Sequence, residues 1–359
     1  MKGSAVLTFY DSLQLDPAGL KAAIRTAPTG RQRNRLRLAM LVRAILIVGF
    51  SIVLIAPISS LFGAENSCVG VVLLCILLSI RFVDFGYCIR DSLINLGLSF
   101  FILWTAPALA ALTHPVLGAV IHFAALFALF VMTSQRPEMG NGGLYAFSYI
   151  FLTGNPVSGE LLWNRGLLLL LGFVLCGSVF LWKHRRKHEG QTFIGLLRQF
   201  RLSSPVCRWQ LQFALGVSLL LAIGSCFRVE RLMWAGFACA SLLGCYSSTT
   251  DGSRQTRERF SQRIVGAITG SVLFAAVYAV LPASLHGLFG PLGGVCLGFC
   301  TDYRYKTALN CFGALLLATG LYGLQGSVLL RIINNLLGAA FGFGFILLYR
   351  KVMDRRFAA

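Results

Sequence analysis

The stretch of sequence that decides the fold is residues 227–282, which read FRVERLMWAGFACASLLGCYSSTTDGSRQTRERFSQRIVGAITGSVLFAAVYAVLP. Two apolar segments, 232–246 and 264–281, flank a predicted basic loop. The cations of this loop are Arg254, Arg257, Arg259 and Arg263. Two apolar segments joined by a cationic loop predict a membrane hairpin, because loops rich in Lys and Arg stay on the cytoplasmic side of a membrane.

The composition extends this prediction to the whole chain. Of its 359 residues, 56% are hydrophobic and only 13% are charged, whereas soluble domains carry ~25% charged residues. The formal net charge is +19, a value that by itself is compatible with nucleic-acid binding. We therefore expect an all-α, polytopic membrane protein with little room for a soluble domain, and the placement of the positive charge decides what that charge means.

Hydropathy predicts about twelve transmembrane helices, of which the second and fifth are short enough that ten or eleven remain possible. The predicted spans are 39–62, 67–80, 93–112, 115–133, 143–155, 165–182, 209–227, 232–248, 264–281, 285–300, 307–323 and 327–349. With both termini in the cytoplasm, twelve spans place most Lys and Arg residues on the inner side. The charge is then explained by topology, and no nucleic-acid partner is expected.

The two halves of the chain resemble each other. At one constant offset, Gly154, Arg165, Gly172 and Arg185 fall on Gly320, Arg331, Gly338 and Lys351. Six spans per half give both halves the same orientation, which predicts two parallel six-helix repeats. The predicted division is a basic segment at 1–37, a first repeat at 38–183, a cytoplasmic linker at 184–208, a second repeat at 209–350 and a tail at 351–359.

A short helix is predicted ahead of the first span. Asp16 is a suitable N-cap and Pro17 a suitable first helical residue, and the helix should run to about Thr26. Leu20 and Ile24 share one face, so the helix is amphipathic and could lie on the inner membrane surface. A solvated tail is the other interpretation.

Over nearly its whole length, and more clearly in its second half, the chain resembles the fusaric-acid-resistance-like (FUSC) or aromatic acid exporter family of bacterial inner-membrane proteins. The resemblance rests on a Trp-bearing helix, an Arg-rich turn and R-x-x-G-x-x-x-G, here Trp234, Arg259, Arg263, Gly266 and Gly270. It implies two six-span halves, export of organic anions such as aromatic carboxylates, and coupling to the proton-motive force. The chain departs from many members in having only a short linker in place of a large cytoplasmic domain.

Arginines are the first candidates for an anion site, because no Asp or Glu falls in the middle of a predicted span. Arg165 and Arg331 would form an outer mouth, or alternatively anchor to lipid phosphates. Arg90 and Arg263 would form an inner vestibule, or simply be cytoplasmic-side charge. Arg43, about one turn inside the first span, is expected to extend toward the inner headgroups.

Neutral polar residues inside the spans are the second set of candidates. Tyr145 and Tyr149 would provide aromatic surface at the short fifth span, and Asn310 and Asn334 would contact substrate or bridge helices. His122 lies deep in a span, where a packing role is the first interpretation. Three G-x-x-x-G pairs predict close helix contact: Gly266 with Gly270, Gly290 with Gly294, and Gly338 with Gly342.

The sequence lacks the motifs of common enzymes, so we expect no catalytic residues, no cofactor and no metal. Most of the eleven cysteines lie in apolar runs and should act as packing residues. The preferred function is an inner-membrane exporter of organic anions, with the lipid bilayer and a small anion as partners and a homo-oligomer as a further possibility. An anion channel, as in the related plant malate channels, and a membrane scaffold without a solute pathway are the alternatives.

Overall fold

A computed structural model describes residues 8–139, 141–246 and 252–357 of the chain. Lys2 and the rest of residues 1–7 in the predicted basic segment, Asp251, and the last two residues of the predicted tail lie outside the described residues. Within the described ranges the chain forms α-helices and short 3-10 helices and no β-strand. The all-α class is therefore confirmed.

The first half of the chain contributes eight helices and two 3-10 turns. The helices are α1 Phe9–Gln14, α2 Pro17–Thr26, α3 Gly30–Phe62, α4 Ser67–Ile80, α5 Ile89–Leu112, α6 Pro115–Thr133, α7 Gly142–Thr153 and α8 Gly159–His184. A 3-10 turn at Ala64–Asn66 leads into α4, and another at Pro137–Met139 precedes α7.

The second half contributes six helices and one 3-10 helix. The helices are α9 Phe193–Arg198, α10 Pro205–Cys226, α11 Leu232–Leu243, α12 Gly252–Val280, α13 Phe289–Leu297 and α14 Tyr303–Phe357. The 3-10 helix Ala283–Leu288 leads directly into α13. Helix α14 is interrupted at Gly323, whose φ of 67° and ψ of 175° are not helical, so the predicted boundary between the last two spans coincides with a break in the helix.

Seven helices of the described chain are long and apolar enough to cross a membrane, namely α3, α5, α6, α8, α10, α12 and α14. Four apolar segments are shorter and contain α4, α7, α11 and α13. Every predicted span thus falls on an apolar helix, which supports a polytopic membrane protein. The twelve-span count and the parallel repeat remain predictions, because the short helices do not meet the length needed for a full crossing.

The prediction that residues between the two apolar segments of 227–282 form a basic loop is wrong from Gly252 onward. Arg254, Arg257, Arg259 and Arg263 lie on α12, which already begins at Gly252. Arg, Gln and Glu are good helix formers, and Arg254 Nε lies 3.1 Å from Glu258 Oε1 one turn along the helix. The cations therefore extend the helix beyond its apolar part.

The helix predicted ahead of the first span is confirmed at Pro17–Thr26. The side chain of Asp16 accepts a hydrogen bond of 2.8 Å from the N–H of Gly19, as an N-cap should. Its apolar face is occupied, because Leu20 is fully buried in a cluster with Ala27 and with Leu36 of α3. The interpretation of α2 as a helix lying on the membrane surface is thus corrected: its apolar face packs on protein.

Packing divides the described chain into two compact units. We call unit 1 the chain up to Val53 together with Ser261–Ile333, and unit 2 the segment Leu54–Phe260 together with the chain from Asn334 onward. This division follows contacts in space, whereas the predicted domains follow the sequence repeat. The repeat-based boundaries are not tested by it and stay a prediction.

Unit 2 is an aromatic-rich helix bundle in which α6 packs along α5, α7 and α10, and α4 and α5 pack along α8. Phe130 of α6 stacks on Phe213 of α10 with ring centroids 3.8 Å apart. The indole N–H of Trp209 donates to the carbonyl of Leu243 over 2.9 Å. Stacked rings and satisfied indole groups fix the relative positions of these helices.

Unit 1 is built from α2, most of α3, α12, α13 and the first part of α14. Its apolar core contains Phe274, Phe289, Cys311 and Leu315. Helices α12 and α14 approach closely at two glycines, since a Cβ at Gly266 would lie 2.6 Å from the carbonyl oxygen of Arg304 and one at Gly270 would collide with Ala308. Small residues at such crossings allow backbone-to-backbone contact in membranes.

Candidate functional site

A cavity of about 310 Å³ lies within unit 1. Its wall comprises parts of five segments: Pro17 of α2, Arg43, Ala44 and Ile47 of α3, Gly294, Leu297 and Gly298 around the end of α13, Cys300 of the following loop, and Lys306 and Asn310 of α14. The spacing explains the shared face, because side chains four residues apart lie above one another on a helix. Arg43 and Ile47 are so related, and so are Lys306 and Asn310.

Small residues bring the walls of the cavity together. A Cβ at Gly298 would lie 2.6 Å from Cβ of Ala44, and one at Gly294 would lie 3.0 Å from a methyl carbon of Val48. Gly290 has nothing within 4 Å of a built Cβ. The predicted contact of the Gly290–Gly294 pair is therefore made one turn later, by Gly294 and Gly298 against α3.

The chemistry of the cavity is cationic and apolar. Two side chains carry a positive charge, Arg43 and Lys306, and Asn310 adds an amide. The remaining wall is small or hydrophobic, and the lining set contains no Asp or Glu. A guanidinium and an ammonium bind carboxylates by charge-assisted hydrogen bonds, while the apolar wall suits a hydrocarbon or aromatic body.

The predicted inner-vestibule arginines have different surroundings. Arg263 of α12 is 9% exposed, and its Nη1 donates to the hydroxyl of Tyr303 over 3.3 Å. Arg90 is exposed in the first turn of α5. The two residues therefore occupy unlike environments, one inside unit 1 and the other on the surface of unit 2.

The predicted outer-mouth arginines are both buried. Arg165 of α8 is 2% exposed, and Arg331 of α14 is 5% exposed. Arg165 Nε donates to Oδ1 of Asn66 over 2.9 Å, Nη1 to the carbonyl of Asn155 over 2.8 Å, and Nη2 to the carbonyl of Glu65 over 3.3 Å. In this conformation the guanidinium of Arg165 ties the ends of three helical segments together.

The remaining predicted binding residues of unit 2 also contact protein. Tyr149 shares a hydrogen bond of 2.7 Å between its hydroxyl and Nδ1 of His122. Tyr145 is 1% exposed and meets the ring of Phe85 edge-on with centroids 5.9 Å apart. Asn334 Nδ2 donates to the carbonyl of Glu230 over 3.0 Å. Of the predicted candidates, Asn310 lines the cavity of unit 1.

The glycines Gly338 and Gly342 lie where α14 crosses α11 inside unit 2. A Cβ at Gly338 would collide with the backbone of Ala235, and one at Gly342 would lie 3.2 Å from Cα of Cys239. This contact requires a residue without a side chain at position 338, because the backbone atoms of Ala235 cannot move aside as a flexible side chain can.

A charged cluster at one end of unit 2 fastens the linker after α8. Asp84, between α4 and α5, lies 3.3 Å from Nζ of Lys187 and 3.0 Å from Nε2 of His188. Burial raises the pKa of the Asp84 carboxyl, but the hydrogen bond from Lys187 and the charges of His188 and Lys187 outweigh burial and hold the pKa below its ordinary value. Asp84 is thus ionised at neutral pH and holds the linker after α8 through Lys187 and His188.

Arg43 and Lys306 are the cavity residues that sequence reasoning assigned to other roles. Arg43 was expected to extend toward the inner headgroups, and Lys306 was counted only among the inner-side positive charges of the predicted topology. Two features of the sequence could have indicated this site: Arg43 lies about one turn inside an apolar helix, and Lys306 and Asn310 are four residues apart on another. In the described part of the chain, no group of three or more His, Cys, Asp and Glu could hold a metal ion.

The seven long apolar helices and their bundle packing define an α-helical, polytopic membrane protein. Residues 218–345 match the model of the family described as fusaric acid resistance protein-like. This match covers about a third of the chain, includes the Trp234-to-Gly270 motif, and supports the resemblance to this family that the sequence indicated. It is consistent with a transporter of a general kind. No curated protein and no solved structure matches the chain.

Proposed function

We propose that this protein exports organic anions, with aromatic carboxylates as the substrate class, across the cytoplasmic membrane of a bacterium. The family match supports a transporter of this general kind. The composition of the spans supports an anionic solute, because cation and cationic-drug transporters place acids where their substrates bind. The proposal assigns both termini to the cytoplasm, following the distribution of positive charge.

The observation that carries the proposal is the cavity with Arg43, Lys306 and Asn310 in an otherwise apolar wall. A carboxylate between the guanidinium and the ammonium would gain charge-assisted hydrogen bonds. An aromatic ring would replace water against Ile47 and Leu297. A volume of about 310 Å³ lies at the small end of ordinary ligand pockets, which favours single-ring acids over large conjugates.

The direction and coupling of transport are also part of the proposal. The positive charge of the cytoplasmic surface would concentrate anions at the inner side. The proton-motive force would drive their exit, as the family implies. Arg165 and Arg331 keep their predicted role at the outer mouth only if the hydrogen bonds of Arg165 with Asn66 and Asn155 open during the cycle.

Reconstituted protein gives the direct test. Proteoliposomes loaded with radiolabelled benzoate or 4-hydroxybenzoate should release the acid faster than empty-membrane controls, with saturation and with dependence on an imposed pH gradient. Competing unlabelled aromatic acids should slow the release. A matched aromatic amine should neither leave nor compete, because the cavity offers two cations to it.

The alternative functions predict other results with the same purified protein. Single-channel current steps carried by the same anions in a planar bilayer would show that the protein is an anion channel and not an exporter. If proteoliposomes containing folded protein release none of the aromatic acids faster than empty liposomes do, the protein is a scaffold that lacks a solute pathway.

A further inference from the structure

The N-terminal helix α2 lies against the cavity of unit 1. Pro17, its first residue, forms part of the cavity wall. Lys21, one turn further on, reaches the loop between α13 and α14, where its Nζ lies 3.5 Å from Oγ1 of Thr301. Thr301 directly follows Cys300, which also lines the cavity. One edge of α2 therefore borders the cavity and the loop that forms part of its wall.

The two sides of α2 are attached in different ways. Its apolar side is held by burial: Leu20 is fully buried, and Ala23 and Ile24 pack against the same cluster as Leu36 and Met40 of α3. The side toward the cavity is held by the Lys21–Thr301 hydrogen bond, whose length is at the outer limit of such bonds. A helix anchored along one edge and weakly latched along the other can swing about the anchored edge.

Lys21 has a second role in this arrangement because it is a cation at the border of an anion site. An ammonium group bonded to a neutral hydroxyl gains more from a carboxylate, which offers a charge-assisted bond. An arriving anion would thus compete with Thr301 for Lys21. The same event that brings the anion to the cavity would release the latch.

We propose that α2 is the gate of the cavity on its N-terminal side, with Lys21 as both the latch to Thr301 and the first cation that an anion meets. The proposal rests on the proposed function, because a gate has meaning only if a solute uses the cavity. It assigns a gating role to a pre-span helix whose sequence suggested only attachment to a membrane surface.

Cys300 reports on the gate without any transport measurement. In a background in which the exposed cysteines Cys226 and Cys296 and the half-buried Cys75, Cys88 and Cys245 are replaced by Ser, the half-buried Cys300 should react with a maleimide more slowly when α2 is latched than when it is released. Lys21→Gln and Leu20→Ala should each raise the labelling rate about tenfold, and 4-hydroxybenzoate should protect Cys300. Arg37→Gln, on the exposed side of α3, is the matched control and should change nothing.

A cross-link tests whether gate motion is required for flux. Lys21→Cys with Thr301→Cys, in a Cys300→Ser background, can be bridged by a short bis-methanethiosulfonate, since the long Lys21 side chain implies a gap too wide for a direct disulfide. Bridged protein should lose at least about nine-tenths of its efflux, and dithiothreitol should restore it. Each single-cysteine variant under the same treatment is the control.

The outcomes separate the gate from the site. Full efflux by bridged protein, or unchanged Cys300 labelling in Leu20→Ala, overturns the gate while leaving the proposed function intact. Unchanged efflux in an Arg43→Gln, Lys306→Gln double variant overturns the proposed function itself, whatever the bridge does.

Discussion

The two units contain cavities of opposite character. The cavity of unit 1 has a volume of about 310 Å³ and two cationic side chains, Arg43 and Lys306, in its wall. The larger groove of unit 2, about 490 Å³, is lined by glycine, leucine and aromatic residues such as Trp104 and Phe173. An apolar groove can be filled by the acyl chains of membrane lipids, whereas a cavity lined by cations favours the binding of an anion. The comparison teaches that chemistry rather than size identifies the site.

The candidate arginines and asparagines Arg165 and Asn334 of unit 2 and Arg43 and Asn310 of unit 1 have different surroundings. In unit 2 the guanidinium of Arg165 donates to the backbone carbonyl of Asn155, which follows α7, and the amide of Asn334 donates to that of Glu230, which precedes α11. Such groups stabilise a bundle because backbone carbonyls outside helices need hydrogen-bond partners when they are buried. In unit 1 the half-buried Arg43 and the exposed Asn310 line the cavity. We therefore interpret unit 2 as the scaffold and unit 1 as the part that binds solute.

The largest expected effect is on the cations of unit 1. Arg43→Gln and Lys306→Gln should each lower the affinity for an aromatic carboxylate about tenfold or more, since a hydrogen bond to a charged group contributes ~1.5–3 kcal/mol and ~1.4 kcal/mol is a factor of ten. Scintillation proximity binding on detergent-solubilised protein measures this loss. Arg37→Gln, also on α3, is the control. Equal affinities in all three variants would remove the distinction between the units.

The second effect concerns the crossing of α14 with α11 in unit 2. Gly338→Ala places a Cβ against the backbone of Ala235 and should cost about 1–3 kcal/mol through overpacking. Gly344→Ala, on the same helix with nothing within 4 Å, should instead be neutral or stabilise by up to ~1 kcal/mol. Heating followed by fluorescence-detected size exclusion gives the melting temperatures. Similar melting of both variants would mean that this crossing does not hold the scaffold.

The third effect separates two roles of Arg165. Arg165→Lys keeps the charge but cannot reproduce three directed bonds, so the acceptors at Asn66 and Asn155 lose their partners at a cost of about 1–3 kcal/mol. We expect a lower melting temperature and normal efflux per folded molecule. The reverse pattern, with normal melting and lost efflux, would restore Arg165 to the outer mouth and give unit 2 a direct part in transport.

The smallest effect concerns the contacts of Asp84 with the linker after α8. Asp84→Asn should destabilise unit 2 by about 1 kcal/mol or less, because Lys187 is half exposed and its ion pair is screened. A carboxyl whose pKa is lowered on folding stabilises the folded state above its unfolded pKa and loses that contribution as the pH falls through the folded value. Wild type and variant should thus melt apart at pH 7, the gap should narrow as the pH falls below the ordinary aspartate pKa of about 3.9, and it should close only below the lower pKa of the folded protein. A gap that persists in acid would contradict this assignment.

Much of the fold was predictable because it depends on composition along the chain. The apolar segments, the cap at Asp16 and the break near Gly320–Gly323 each have a local cause, and the structure places a helix or a helix break at each. The helical extension carrying Arg254 was missed because charge was read as a loop signal, although the same residues are good helix formers.

The candidate site was far less predictable. Asn310 and Asn334 were both chosen as polar groups in a span, but Asn310 lines the cavity whereas Asn334 is bonded to protein. Arg165, chosen as an outer-mouth cation, and Tyr149, chosen as aromatic surface, are also bonded to protein. Hydropathy records which residues are polar, and it carries no record of which partner each polar atom meets. That partner depends on neighbours distant in the chain, such as Asn66 for Arg165.

The sequence by itself determined an all-helical membrane protein, a resemblance to one family, the positions of the apolar helices and the scarcity of acids within them. Those properties follow from residue type and spacing within each segment and do not depend on which other segments it contacts. Only the tertiary structure decided that Arg43 and Lys306 face one cavity, that Arg165 is a tie, and that α2 packs its apolar face on α3. Such facts depend on which helix faces meet, and that is settled by packing between separate segments, some of them neighbours in the chain and others far apart.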